Sequence, residues 1–173
     1  MTWFVMRDLT RANAKRPAWK ILTESGFRVF TPLKWKIRIS GSRKERVQTP
    51  VIHDLLFVES TREELDPTVD HIPTLQYRFV KGGYFGQAMT VNEHDMERFM
   101  RAVTSTDDVI YYDPSEITES MVGKKVRIVG GPLDGMTGNL LSVKGMRKRR
   151  LLVELPGMLS SAVEVSSDFI SFV

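Results

Sequence analysis

Cysteine is absent from the 173-residue chain, which excludes disulfides and thiolate metal ligands and fits a reducing, cytoplasmic setting. Histidine is scarce, and His53, His71 and His94 are scattered without metal-ligand spacing, so neither a metal nor a cofactor is expected. No long apolar run is present. The opening stretch 1–7 is too short for a signal peptide or a membrane span, and no membrane association is expected. Nucleophile motifs and phosphate loops are also missing. His53-Asp54 is the one tempting polar pair, and it has no partner group, so no catalytic residues are expected and the chain reads as a non-enzyme.

What is present is a globular composition, 42% apolar and 27% charged, with charge laid down in blocks. Through Ser60 there are 12 basic and 5 acidic side chains (+7), from Thr61 to Ser120 5 and 12 (−7), and from Met121 onward 8 and 4 (+4). Such blocks suit a molecule with a basic face toward nucleic-acid phosphates and an acidic face elsewhere; plain solvated surface is the competing reading.

Aromatic and β-branched residues at 3–7 predict an opening strand, central in its sheet. A basic loop follows at 8–16, carrying Arg11, Lys15 and Arg16, and Arg7 precedes it. Pro17 suits the first turn of a helix, and Gly26 ends it. A second strand is expected at 27–33, a basic hairpin at 34–48 and a core strand over the apolar run 51–58. Two starts compete for the next helix, a capping box of Thr61 with Glu64 and the pair Asp66-Pro67. Strands are expected at 75–80 and 87–91. A helix then opens at Asn92 with Met96, Phe99, Met100 and Val103 on one face. Residues 104–120 lose periodicity, and 107–120 read as a linker that could grip one domain through Val109 to Tyr112. From Met121 the pattern is β throughout. The order argues for an α+β chain of two domains, 1–106 and 121–173.

The stretch Val126-Arg127-Ile128-Val129-Gly130-Gly131-Pro132-Leu133-Asp134-Gly135-Met136-Thr137-Gly138 resembles a KOW motif, which implies a five-stranded SH3-like β-barrel at 121–173. Joined to the opening strand Trp3-Phe4-Val5-Met6-Arg7, the phrase Phe30-Thr31-Pro32-Leu33-Lys34-Trp35 and a strand ending Leu56-Phe57-Val58, it resembles the NusG family of transcription elongation factors. The closest likeness is to the UpxY type of specialised paralogue, which antiterminates surface polysaccharide operons. The resemblance implies an N-terminal NGN-like α/β sandwich, an antiparallel sheet flanked by helices, that docks on the clamp helices of RNA polymerase and suppresses pausing or termination.

Where family members carry an aromatic-Pro-Gly-aromatic turn, this chain has Ile52-His53-Asp54-Leu55. Ile52, Leu55 and Phe57 are the resulting polymerase-binding candidates, with core packing as the competing role. Arg7, Arg11, Lys15 and Arg16 are the nucleic-acid candidates, toward the non-template DNA strand or a nascent leader RNA. The hairpin, in family terms, reaches toward the other side of the polymerase cleft. In the C-terminal module, Arg147, Lys148, Arg149 and Met158 are the partner-binding candidates, with ribosomal protein S10 or Rho as the partner. The valines and glycines after Met121 oppose a helical refolding of this module. A monomer is expected. The alternative is a ribosome-associated or RNA-binding KOW protein.

Overall fold

The computed structural model describes residues 1–11 and 14–173, so Ala12 and Asn13 of the basic loop lie outside the described residues. It is a mixed α+β structure dividing into two compact units, Met1–Glu93 and His94–Val173. The division falls ahead of the expected boundary near residue 106.

The first unit is built on an antiparallel sheet in the order β2-β5-β1-β6, with β7 also on β1. Its strands are β1 (Thr2–Asp8), β2 (Arg28–Phe30), β5 (Leu55–Ser60), β6 (Leu75–Tyr77) and β7 (Thr90–Val91). β1 is central because its apolar residues suit burial on both faces: Trp3, Val5 and Met6 are fully buried. The register Phe4↔Val58 and Met6↔Leu56 puts four side chains on one face, where Ala18 and Leu22 of α1 (Ala18–Glu24) and Leu65 of α2 (Arg62–His71) complete the core. Thr61 settles the start of α2: its side chain accepts the Glu64 N–H at 3.3 Å, and Pro67 lies inside the helix.

Four expected strands are shorter than the sequence suggested, with 75–80 reduced to Leu75–Tyr77 and 87–91 to Thr90–Val91. The second covers three residues, because Thr31 turns its hydroxyl to the Leu55 carbonyl at 2.9 Å and the chain then enters the hairpin. The apolar run 51–58 pairs only from Leu55 onward. Its first residues form a turn, held by Val51 N–H on the Pro32 carbonyl (2.8 Å) and Leu55 N–H on the Ile52 carbonyl (3.3 Å). The hairpin, β3 (Leu33–Ser40) and β4 (Arg43–Pro50), is a sheet of its own, with Gly41 at φ +61° in the two-residue loop.

The second unit contains α3 (Glu93–Thr104) and an antiparallel six-stranded sheet in the order β13-β9-β10-β11-β12-β8. The strands are β8 (Val109–Tyr112), β9 (Val122–Ile128), β10 (Thr137–Leu141), β11 (Arg150–Leu155), β12 (Leu159–Glu164) and β13 (Ile170–Phe172). Five of these strands lie within 121–173, the number expected there, and a sixth joins them from outside that range. The segment 107–120, expected as a linker, supplies β8, whose residues pair with β12 from Val109↔Val163 to Tyr112↔Ser160. Gly130 and Gly131 adopt φ +99° and +70° in the loop after β9, with the Phe169 ring lying against both. Ala102 of α3 joins Val126, Leu151, Val153 and Val163 in the core. The guanidinium of Arg101 donates to the carbonyls of Pro132 (2.8 Å) and Asp134 (2.7 Å), fastening the helix to that loop.

Candidate functional site

The basic loop is shaped by one buried carboxylate. Asp8, 5% exposed at the end of β1, accepts the backbone N–H of Thr10 (2.9 Å) and of Ala18 (2.8 Å). Pro17 offers α1 no side-chain cap, so Asp8 satisfies an N–H of its first turn from across the loop. Both ends of the loop are thereby pinned, and Arg11, Lys15 and Arg16 are exposed on it. Arg16 pairs with Glu24 at the surface.

Arg7 sits differently. It shares the Asp54 carboxylate with Arg78, at 3.5 and 3.3 Å, so two guanidiniums meet one acid. They line an open depression of about 470 Å³ together with Gln76, Phe79 and Met89. One carboxylate balances one of the two cations; the remaining positive charge and free N–H groups suit a phosphate or a carboxylate. Arg78 was not singled out from the sequence, where it stands in an otherwise acidic block.

The structure separates the three apolar candidates. Leu55 (2% exposed) and Phe57 (0%) are buried, on the sheet face they share with Val5, so they act as packing groups and offer no docking surface. Ile52 alone keeps accessible surface, in the turn before β5. Other apolar groups of this unit are more exposed, among them, outside the hairpin, Phe79, Tyr84 and Phe85 at 53%, 74% and 105%. Tyr84 and Phe85 stand on a loop turned by Gly82 (φ +77°) and Gly86 (φ +73°) and closed by the Val80 N–H on the Gln87 carbonyl at 2.9 Å. Sequence reasoning missed them. Their signal was two aromatics set between glycines, where no core strand can run.

In the second unit the basic run divides in two. Lys148 is half-exposed and pairs with both Asp108 (2.7 Å) and Glu164 (3.0 Å). Arg150, 6% exposed, donates to both the carboxylate and the carbonyl of Asp108 at 2.9 Å. Hydrogen bonds from Lys148 and then Arg150 hold the Asp108 carboxyl down at about 2. Arg147 and Arg149 are exposed, and no ion pair reaches either among the described residues. Met158 is half-buried in the turn between β11 and β12, where its N–H donates to the Leu155 carbonyl at 3.0 Å. The four candidates therefore do not form one surface of equivalent groups.

Among the described residues no cluster of His, Asp and Glu is arranged to hold a metal ion, and no helix is long and apolar enough to cross a membrane. No curated protein gives a significant match to the chain. Residues 1–100 match the family model of the transcription termination factor NusG. That match spans more than half of the sequence and takes in the whole first unit with its pinned basic loop, its two-arginine depression and its hairpin: the chain belongs to the NusG family of transcription factors.

Proposed function

We propose that this NusG-family protein is an elongation or antitermination factor that docks on the clamp helices of RNA polymerase and suppresses pausing or termination, acting at surface polysaccharide operons as a UpxY-type paralogue. The observation that carries this reading is Phe79, an exposed aromatic lining the same depression as Arg7, Asp54 and Arg78, in a unit that also leaves Ile52, Tyr84 and Phe85 accessible. Apolar side chains left in water on a small unit mark a protein-binding surface, and adjoining arginines suit nucleic acid leaving the same partner. The mechanism is a population shift. A factor that binds the closed clamp more tightly than the paused one by about 1.4 kcal/mol raises the ratio of closed to paused states about tenfold.

In this reading Arg11, Lys15 and Arg16 meet phosphates of the non-template DNA strand or of a leader RNA. The second unit is an SH3-like KOW barrel that presents Arg147, Arg149 and Met158 to ribosomal protein S10 or Rho. The protein works as a cytoplasmic monomer without cofactor or catalytic group. The test is retention of core RNA polymerase by the immobilised full chain. Ile52→Glu combined with Phe85→Ser should abolish retention while circular dichroism stays native. Full retention by that variant, or retention of ribosomal RNA in place of polymerase by the unaltered chain, refutes the proposal.

A further inference from the structure

The β3–β4 arm is the least explained part of the molecule. Its two strands pair with each other over eight registers, Leu33↔Pro50 to Ser40↔Arg43, and with no other strand among the described residues. At a rise of about 3.3 Å per residue, each eight-residue strand spans roughly 26 Å. An isolated two-stranded ribbon is marginally stable in water, so its composition is informative. The arm carries Lys34, Lys36, Arg38, Arg43, Lys44 and Arg46 against one acid, Glu45, which pairs with Arg38 at 2.7 Å.

Strand alternation sorts these groups. One face of β3 presents Trp35, Ile37 and Ile39, which are 47%, 65% and 69% exposed. Opposite them on the same face stand Gln48, Arg46 and Lys44, and Arg46 lies over the Trp35 ring at 4.3 Å. The apolar groups thus form a single file with a row of cations and an amide beside it. Lys34, Lys36 and Arg38 occupy the other face of β3.

We infer that this arm enters the major groove of B-form duplex DNA, setting the Trp35-Ile37-Ile39 file against base edges and its cations against the phosphates. A two-stranded ribbon fits that groove, about 12 Å wide, and aliphatic side chains suit thymine methyls on its floor. A bilayer asks for apolar side chains across both strands of the face, and β4 supplies Lys44 and Arg46 instead. The deep, narrow major groove of A-form RNA does not admit a ribbon. The inference rests on the placement of the chain in a nucleic-acid machine, but it concerns free duplex and needs no polymerase.

The experiment is fluorescence anisotropy of the full chain with a 20-base-pair DNA duplex, the same sequence as an RNA duplex, and single-stranded DNA; flotation with phosphatidylserine vesicles runs alongside. The DNA duplex should bind at least tenfold more tightly than either other nucleic acid. Ile37→Ser with Ile39→Ser should weaken duplex binding about tenfold at an unchanged salt slope. Lys44→Ser with Arg46→Ser should reduce the slope of log K against log salt by about 2, near 0.9 for each phosphate no longer neutralised. All four positions are exposed on the arm, and native circular dichroism checks each variant. Equal binding of DNA and RNA duplexes, a single-strand preference, vesicle capture, or an unaffected Ile37→Ser/Ile39→Ser variant overturns the inference. Polymerase retention by the same proteins reads the proposed function separately.

Discussion

Replacing Arg150 with Met tests how the segment before the C-terminal sheet is held. The guanidinium donates to the Asp108 carboxylate and carbonyl, both at 2.9 Å, and more weakly to the Ala162 carbonyl at 3.4 Å. Two good bonds involving a charged donor contribute about 1.5–3 kcal/mol each in gross terms. Two effects reduce this. Methionine fills most of the volume without burying a charge, and Asp108, with its side chain 43% exposed, regains water when its partner leaves. A net loss of about 2 kcal/mol remains, and it should fall on β8 before the rest of the sheet. Hydrogen exchange on the full chain is the assay: amides of Val109–Tyr112 that bond to β12 should lose protection by roughly 30-fold, the equivalent of that loss. The midpoint of the second unit should fall by roughly 10 °C. Lys148→Met, which removes an exposed partner of the same carboxylate, should barely move either readout. If Arg150→Met leaves β8 protection unchanged, the anchoring role of Arg150 is refuted.

Gly131→Ala should destabilise the protein by about 1–2 kcal/mol, because alanine is strained at a left-handed φ. The observed φ is +70°, and the added Cβ lies 2.8 Å from the Phe169 ring; a urea midpoint equal to wild type would contradict the assigned loop geometry. The Asp108 carboxyl is depressed from 3.8 to about 2, so its contribution is complete above pH 4 and is lost as pH falls toward 2. Thermal melts between pH 5 and 2 should show Asp108→Asn losing less stability than wild type over that window, and parallel curves would exclude the effect.

The legible parts of the fold are those decided locally. The strand at Thr2–Asp8 follows from its aromatic and β-branched content, and the rival starts of α2 are separated by a cap three residues long in sequence. The illegible parts are decided from a distance. Val51 to Asp54 looks like strand because it is apolar, yet its conformation depends on the Pro32 carbonyl and on two guanidiniums from β1 and the segment after β6. Residues 107–120 look like a linker because they are rich in Asp, Ser and Thr. They hold a strand that pairs with β12, about 50 positions along, and Arg150 binds Asp108 just ahead of it. Composition reports neither kind of bond.

The same distinction sorts the cations of the candidate surfaces. Arg7, Lys148 and Arg150 are tied to carboxylates far away in sequence, but only Arg150 is buried, so its removal alone changes the fold before it changes any partner. Arg16 and Arg38 pair with acids on neighbouring elements at exposed sites, Glu24 and Glu45. Exposed pairs of that kind contribute about 0–1 kcal/mol and are screened by salt, so a phosphate competes with them readily. Arg11, Lys15, Lys44, Arg147 and Arg149 have no ion-pair partner among the described residues. Nucleic-acid affinity should therefore track this last group and the two weakly paired arginines. Charge count alone would rank Lys148 beside them, and its two carboxylate partners, Asp108 and Glu164, set it behind; Arg7, which shares one acid with Arg78, keeps donors to spare.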